Sequence, residues 1–265
     1  MDLSLKLSKY IREKALEMCS SGKSSHIGSI FSCADILAVL YTQILNYKSD
    51  QPKYYLRDRF LMSKGHAGAG LYATLSKVGF VEEGILKTHY KNGSFLSGHV
   101  CHKIFPGVEF STGSLGHALP VSIGIALGLK LKNIKSKVFC LMSDGELDEG
   151  SNWEAFLSAA HNNLNNLVAI IDRNRLQSIE DTETTLMLEP LKEKFLSFNW
   201  NVKIINGHDH EEIYNSLKHH DTKKPTIIIA NTIKGKGVSF MENNVLWHYK
   251  SPTKEEVIRA KGELN

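Results

Sequence analysis

Asp144, Glu146, Asp148 and Glu149 place four carboxylates within six positions of the stretch LMSDGELDEG. They follow the apolar run KVFC, where a buried strand should be ending. So dense a set of negative charges repels itself unless water or a cation compensates it. Asp144, Glu146 and Asp148 alternate as EF-hand ligands do. However, Glu149 stands where that loop needs glycine, and Ala155 where it needs a bidentate glutamate. An anion site suits the residues better. Gly145 lets a ligand come close to the backbone, and a helix starting a few residues later offers free N–H groups and a positive dipole end. Asp144 then gives one oxygen to a cation that bridges a diphosphate. Magnesium prefers such oxygen ligands and takes only a few from protein. Asn174, thirty positions on, can supply a second.

The elements that must position these groups are legible from periodicity. Leu3, Leu7, Tyr10, Ile11, Ala15 and Met18 recur at helical spacing. ADILAVLYTQIL reads as a second helix, RFLMS as a short strand, and AGLYATLSKVG as a helix stopped by glycine. Residues 90–116 show little periodicity and much Gly, Ser and His, a long loop of the kind that tends to be functional. Beyond it the pattern is regular. PVSIGIALGLKLK, SNWEAFLSAAHNNL, LEPLKEKFLSFN and HEEIYNSLKHH read as helices, and KVFCLMS, NLVAIID, NVKIIN and PTIIIANT as strands. Ser151 and Glu154 have the spacing of a capping box. The strands are near-continuous apolar runs, as in sheets covered on both faces. The expected fold is α/β: a doubly wound, mostly parallel sheet with helices on both faces, in one domain spanning 1–265. Ligands in such sheets bind beyond the carboxyl ends of the strands. That rule selects Asp144-Gly145, Asp172-Arg173-Asn174 and the segment IKGKG; Lys234 and Lys236 in the last are placed either to reach a phosphate or to be solvated.

The 265 residues, 42% hydrophobic and 23% charged, suit an ordinary globular chain with a substantial core. The net charge of +4 is dispersed, and short basic patches such as KLKNIKSK argue against a nucleic-acid partner. No apolar run approaches the ~20 residues of a membrane helix, and the first residues lack a signal-peptide apolar segment. Cys19, Cys33, Cys101 and Cys140 form no CxxC pair and read as reduced thiols of a cytoplasmic protein.

Asp144-Gly145 followed by Asn174 resembles the thiamine diphosphate motif, and SDGELDEGSNWEA with NLVAIIDRNRLQS resembles the N-terminal part of transketolase. The likeness continues in order through Ser24-Ser25-His26-Ile27-Gly28, Ser63-Lys64-Gly65-His66-Ala67, Ser97-Gly98-His99, Thr112-Gly113-Ser114-Leu115-Gly116 and Trp247-His248. The fold it implies is the diphosphate-binding (PP) domain of thiamine diphosphate enzymes. It also implies Mg²⁺, for which Ca²⁺ or Mn²⁺ can substitute, on Asp144, Asn174 and the Leu176 carbonyl. Gly145 would meet the diphosphate. Gly113, Ser114 and Leu115 would lie toward the aminopyrimidine. His66 and His248 would sit near the diphosphate and reacting centre, and His26 and His99 would bind donor hydroxyls and move protons. Histidines suit that task because they titrate near neutral pH. Glu149 is counted with the cofactor site. In the family, glutamates at the positions of Glu149 and Glu154 lie at a subunit interface between active sites. His102, His161, His208, His210, His219 and His220 read as ordinary polar loop residues, as do Glu146 and Asp148.

A full-length transketolase is more than twice this length, and the pyrimidine-binding domain with its activating glutamate is not in this chain. The resemblance therefore implies the N-terminal subunit of a split transketolase. Its C-terminal partner would be a separate chain, in an assembly such as α2β2, moving a two-carbon ketol unit from a ketose phosphate donor to an aldose or other sugar acceptor. Ser143 departs from the usual first glycine of the motif, His117 from a common glutamine and Tyr249 from the usual glycine. These departures leave room for a specialised acceptor, for example an unusual or nucleotide-linked sugar. The alternatives are the α subunit of a thiamine-dependent 2-oxo acid dehydrogenase, against which the motifs at His66 and His99 argue, and a non-catalytic cofactor-binding subunit.

Overall fold

The apolar runs do pair in one direction. The computed structural model describes residues 1–103, 105–219, 221 and 223–264. In it β1 (Arg59–Met62), β2 (Val138–Ser143), β3 (Leu167–Arg173), β4 (Asn201–Asn206) and β5 (Thr226–Asn231) form a parallel sheet in the order β1-β2-β3-β5-β4. Side chains alternate between its faces. Phe139 and Leu141 of β2 join one core, while Val138, Cys140 and Met142 join the other. Helices α1 (Asp2–Gly22), α2 (Ile27–Val39), α3 (Gly68–Lys77), α8 (His210–Lys218) and α9 (Lys254–Leu264) contribute to the first core. Helices α4 (Ala118–Leu131), α5 (Gly150–His161) and α7 (Leu191–Ser197) contribute to the second. A single turn, α6 (Thr182–Thr185), lies between β3 and α7. Parallel strands need such crossovers, and burial on both faces explains why β2 and β3, buried along their whole length, are apolar up to their polar carboxyl ends.

Several local expectations are corrected. Helix α2 begins at Ile27 rather than Ala34 and continues as a π-helical turn over Leu40–Ile44. The resulting span Ile27–Ile44 is long and apolar enough to cross a membrane by length and composition alone, yet 83% of it is buried inside the fold, as befits a core helix. Strand β4 is one of the two sheet edges, so Ile204 is half exposed instead of doubly covered. The capping box at Ser151 does not form. The N-cap of helix α5 is Glu149, two residues before Ser151, and the Ser151 hydroxyl donates instead to the Gly116 carbonyl at 2.6 Å. Helix α9, too charged to stand out by periodicity, docks through Val257, Ala260 and Leu264. The long loop is held inward by buried Leu96, Val100 and Phe105.

Candidate active site

Three neighbouring strands deliver their polar ends to one place. Asp144 follows β2, Asp172 lies near the end of β3, and Lys234 follows β5. Asp172 is fully buried and accepts from the Ser32 and Thr232 hydroxyls and the Lys64 ammonium. Burial pushes its carboxyl up, but the Lys64 charge and these donors outweigh burial and hold it below the usual range. Lys64 also donates to the Ser29 carbonyl at 3.0 Å. Lys234, likewise buried, donates to the Leu176 carbonyl (2.9 Å) and the Gln177 carbonyl (2.7 Å), and lies 2.9 Å from His248 Nδ1. Burial and the nearby Lys64 charge pull Lys234 down to about 8. Of the two lysines in IKGKG, then, Lys234 belongs to the site, while Lys236 pairs with Glu242 at 3.5 Å on the surface.

Above this floor lies a cleft of about 260 Å³, whose lining includes His26, His66, His99, His248 and Tyr249. The His26 ring is central. Its centroid is 5.3 Å from that of His66, 5.8 Å from His99 and 5.0 Å from His248. His26 adopts a left-handed backbone, φ 75°, at the N-cap of α2, a costly conformation for a residue with a Cβ. Its N–H donates to the His248 carbonyl at 2.8 Å, tying the first histidine segment to the last. Burial, then neighbouring rings and lysines, pushes His26 down to about 4 and His248 to about 3, and holds His66 well below its ordinary value. At neutral pH these rings are uncharged, each with one nitrogen able to accept a proton.

Of the residues singled out in the sequence, His26, His66, His99, Gly113, Leu115, Asp144, Gly145, Asn174, Leu176 and His248 line this cleft. Ser114 and Glu149 do not: both are solvent-exposed. Ser143 keeps a backbone that a side chain tolerates, since it is absent from the positive-φ positions. Gly145 is needed for a different reason. A Cβ there would sit 2.8 Å from Gln177 Cγ, so the glycine lets the two loops close.

Three ordinary-looking sets of residues prove otherwise. Glu146 is fully buried and accepts from the Ser63 hydroxyl and from the Gly116 and Ser143 N–H groups. His208 and His210 both meet Asp35, at 2.8 and 3.1 Å, in a buried network with Arg12. Asp148, half-buried, accepts from Gln177 at 2.8 Å. His102, His117, His161 and His219 are exposed, and His220 lies outside the described residues. Alternating charge in the sequence carried no sign of Glu146's role, because its partners come from distant segments.

Among the described residues no three His, Cys, Asp or Glu side chains are arranged to hold a metal. The cleft instead offers one carboxylate, one amide oxygen and one carbonyl, from Asp144, Asn174 and Leu176. Such a donor set suits a hard cation that takes its remaining ligands from a diphosphate. Asp144 is buried, with Oδ2 accepting from Arg175 N–H at 2.6 Å and facing Arg173 at 3.3 Å. Burial and the Asp172 charge raise its carboxyl against that pull. A buried carboxylate so placed gains from a cation.

Comparison with known proteins agrees with this geometry. Residues 4–264 match the family model described as transketolase, thiamine diphosphate binding domain. The chain is 41% identical over 256 residues to a subunit of the apulose-4-phosphate transketolase of Phocaeicola vulgatus, covering 96% of this chain and 91% of that one. It is 34% identical to the 6-deoxy-6-sulfo-D-fructose transketolase subunit of a Clostridium species, covering 96% and 93%. The solved transketolase of Campylobacter jejuni superposes with a TM-score of 0.94 at 31% identity, over all of this chain but 43% of that one. The chain thus spans less than half of that transketolase, and nearly the whole of relatives named as separate subunits. These matches exclude the dehydrogenase alternative, and the chain belongs to the transketolase family, as its N-terminal, thiamine diphosphate-binding unit.

Proposed function

We propose that this chain, a single domain, holds the diphosphate end of thiamine diphosphate through Mg²⁺ on Asp144, Asn174 and the Leu176 carbonyl. A second chain carrying the pyrimidine-binding domain completes the site for ketol transfer. The observation that carries this reading is the convergence of four histidines with those three oxygen donors in one cleft at the strand ends. When bound, thiamine diphosphate supplies the carbon chemistry that takes up and passes on a two-carbon unit. The chain's own residues do the rest. Gly145 gives the diphosphate access to the backbone. Lys234, which donates to the Leu176 carbonyl, would offer its ammonium to the diphosphate if that carbonyl held the cation. Neutral His26, His66, His99 and His248 offer ring nitrogens as hydrogen-bond donors and acceptors to sugar hydroxyls, and a bound anion beside them would raise their depressed affinity for protons toward the range that proton transfer needs.

The names of the relatives, which specify an apulose phosphate and a sulfo-fructose, support a ketose donor with a terminal anionic group. Tyr249, 61% exposed with its ring 4.8 Å from that of His248, stands at the mouth of the cleft where it bears on that choice. The relatives' names as subunits support a two-chain assembly such as α2β2, which this reading sets in the cytoplasm. The test is a titration of thiamine diphosphate with Mg²⁺ on wild type and Asp144→Ala. Loss of affinity by about 100-fold or more with an unchanged far-UV spectrum is expected, given one lost ligand to the cation. Undiminished Mg²⁺-dependent binding by the variant refutes the assignment.

A further inference from the structure

We infer that Glu146 is a positioning residue for the cofactor cleft: its buried carboxylate fastens together the three loops that form the cleft's walls. Glu146 has no exposed surface and is not among the residues lining the cleft. Its Oε1 accepts from the Ser63 hydroxyl and from the Gly116 N–H at 3.0 Å, and its Oε2 accepts from the Ser143 N–H at 3.3 Å. Each partner adjoins a different stretch of the lining. Ser63 precedes Lys64 and His66, Gly116 follows Gly113 and Leu115, and Ser143 precedes Asp144 and Gly145. The three donors lie 83, 30 and 3 residues from Glu146 in the chain, so no single local turn makes these contacts. The backbone of Glu146 is itself fixed, because the Asn152 side-chain amide donates to its carbonyl at 2.7 Å from the first turns of α5. A carboxylate is the side chain that suits the place. Both oxygens face donors only, and an amide of the same shape turns a donor toward one of them.

This rests on the reading of the cleft as the cofactor site, and the experiment separates the two. Thiamine diphosphate with Mg²⁺ is titrated on the full chain with its partner subunit present, for wild type, Glu146→Gln and Ser63→Ala. Thermal unfolding and turnover at saturating cofactor are measured on the same samples. The positioning role predicts a dissociation constant raised about tenfold or more in Glu146→Gln and severalfold in Ser63→Ala. Turnover at saturating cofactor falls by less than affinity does, because excess cofactor restores the wall arrangement. Glu146→Gln also shows an unfolding midpoint within a few degrees of wild type. Should Glu146→Gln fail to fold, Ser63→Ala decides alone by the same split. Unchanged cofactor affinity in folded variants, or losses of turnover that excess cofactor does not reduce, overturns the inference while leaving the cofactor reading intact. Wild type that fails to bind the cofactor overturns both.

Discussion

The uncharged histidine cluster makes the folded chain sensitive to mild acid, and the size of the effect follows from the site. His26 is pushed down to about 4 and His248 to about 3, from an ordinary value of 6.5. In the unfolded chain both take up protons as pH falls below 6.5, while in the folded chain neither does until far lower. Stability is therefore full above pH ~7 and is lost as pH falls toward the folded values. Between pH 7 and 5, linkage gives about 1.8 kcal/mol for each ring. Solvent at the open side of the cleft screens part of this, which brings the pair to a total of about 2 kcal/mol. That corresponds to a midpoint change of roughly 4–8 °C for a domain of this size. Urea unfolding followed by Trp fluorescence at pH 7, 6 and 5 reads the slope directly. In the double variant His26→Asn, His248→Asn the slope shrinks by about that amount, and what remains includes the contributions of His66, His89 and His99, which burial also depresses. Equal slopes for wild type and double variant refute the reasoning, because they mean that the cleft does not withhold protons from these rings.

Other perturbations report on the surrounding frame. In Gly65→Ala the new Cβ meets Thr112 Oγ1 at 2.3 Å and its carbonyl at 2.8 Å; thermal denaturation should show a loss of about 2 kcal/mol, whereas Gly124→Ala, with open space around it, costs nothing. Asp35→Ala strands the buried Arg12 guanidinium, which Asp35 holds at 2.6 Å, and should cost about 3–5 kcal/mol in urea unfolding; a loss smaller than about 1 kcal/mol contradicts the role given to that pair. Tyr249→Gly should leave the unfolding midpoint unchanged but alter the kcat/KM ratio between two ketose donors by about tenfold, the effect of about 1.4 kcal/mol in transition-state discrimination; an unchanged ratio removes Tyr249 from substrate choice.

What could be read from the residues alone divides along a physical line. The strands of the sheet were legible because burial on both faces demands unbroken apolar runs, as in VFCLM and LVAII. The strand ends then located Asp144, Asn174 and the Lys234 segment without further help. The four cleft histidines were not legible by spacing, since His26 and His248 are brought together by a backbone bond across more than two hundred residues; only the motif resemblance picked them out. Glu146 was lost among neighbouring carboxylates. Nothing in ELDEG distinguishes a buried acid fastened to Ser63 from the half-buried Asp148 two positions on. His208 and His210 were lost in the same way, because a histidine's partner, here Asp35 on another helix, is a tertiary fact. Ser151 misled in the opposite direction: its local capping pattern was overridden when Gly116 offered a carbonyl from outside the helix.

The central claim is that this chain supplies one half of a ketol-transfer site and another chain the other. It is tested most directly by measuring transfer of a two-carbon unit between a ketose phosphate and an aldose acceptor, with thiamine diphosphate and Mg²⁺ in excess. The assay compares this chain by itself, the candidate pyrimidine-binding chain by itself, and the two mixed. Turnover only in the mixture, abolished by Asp144→Ala in this chain, is the predicted result. Full turnover by this chain without the other, or a mixture whose turnover is indifferent to Asp144→Ala, contradicts the account.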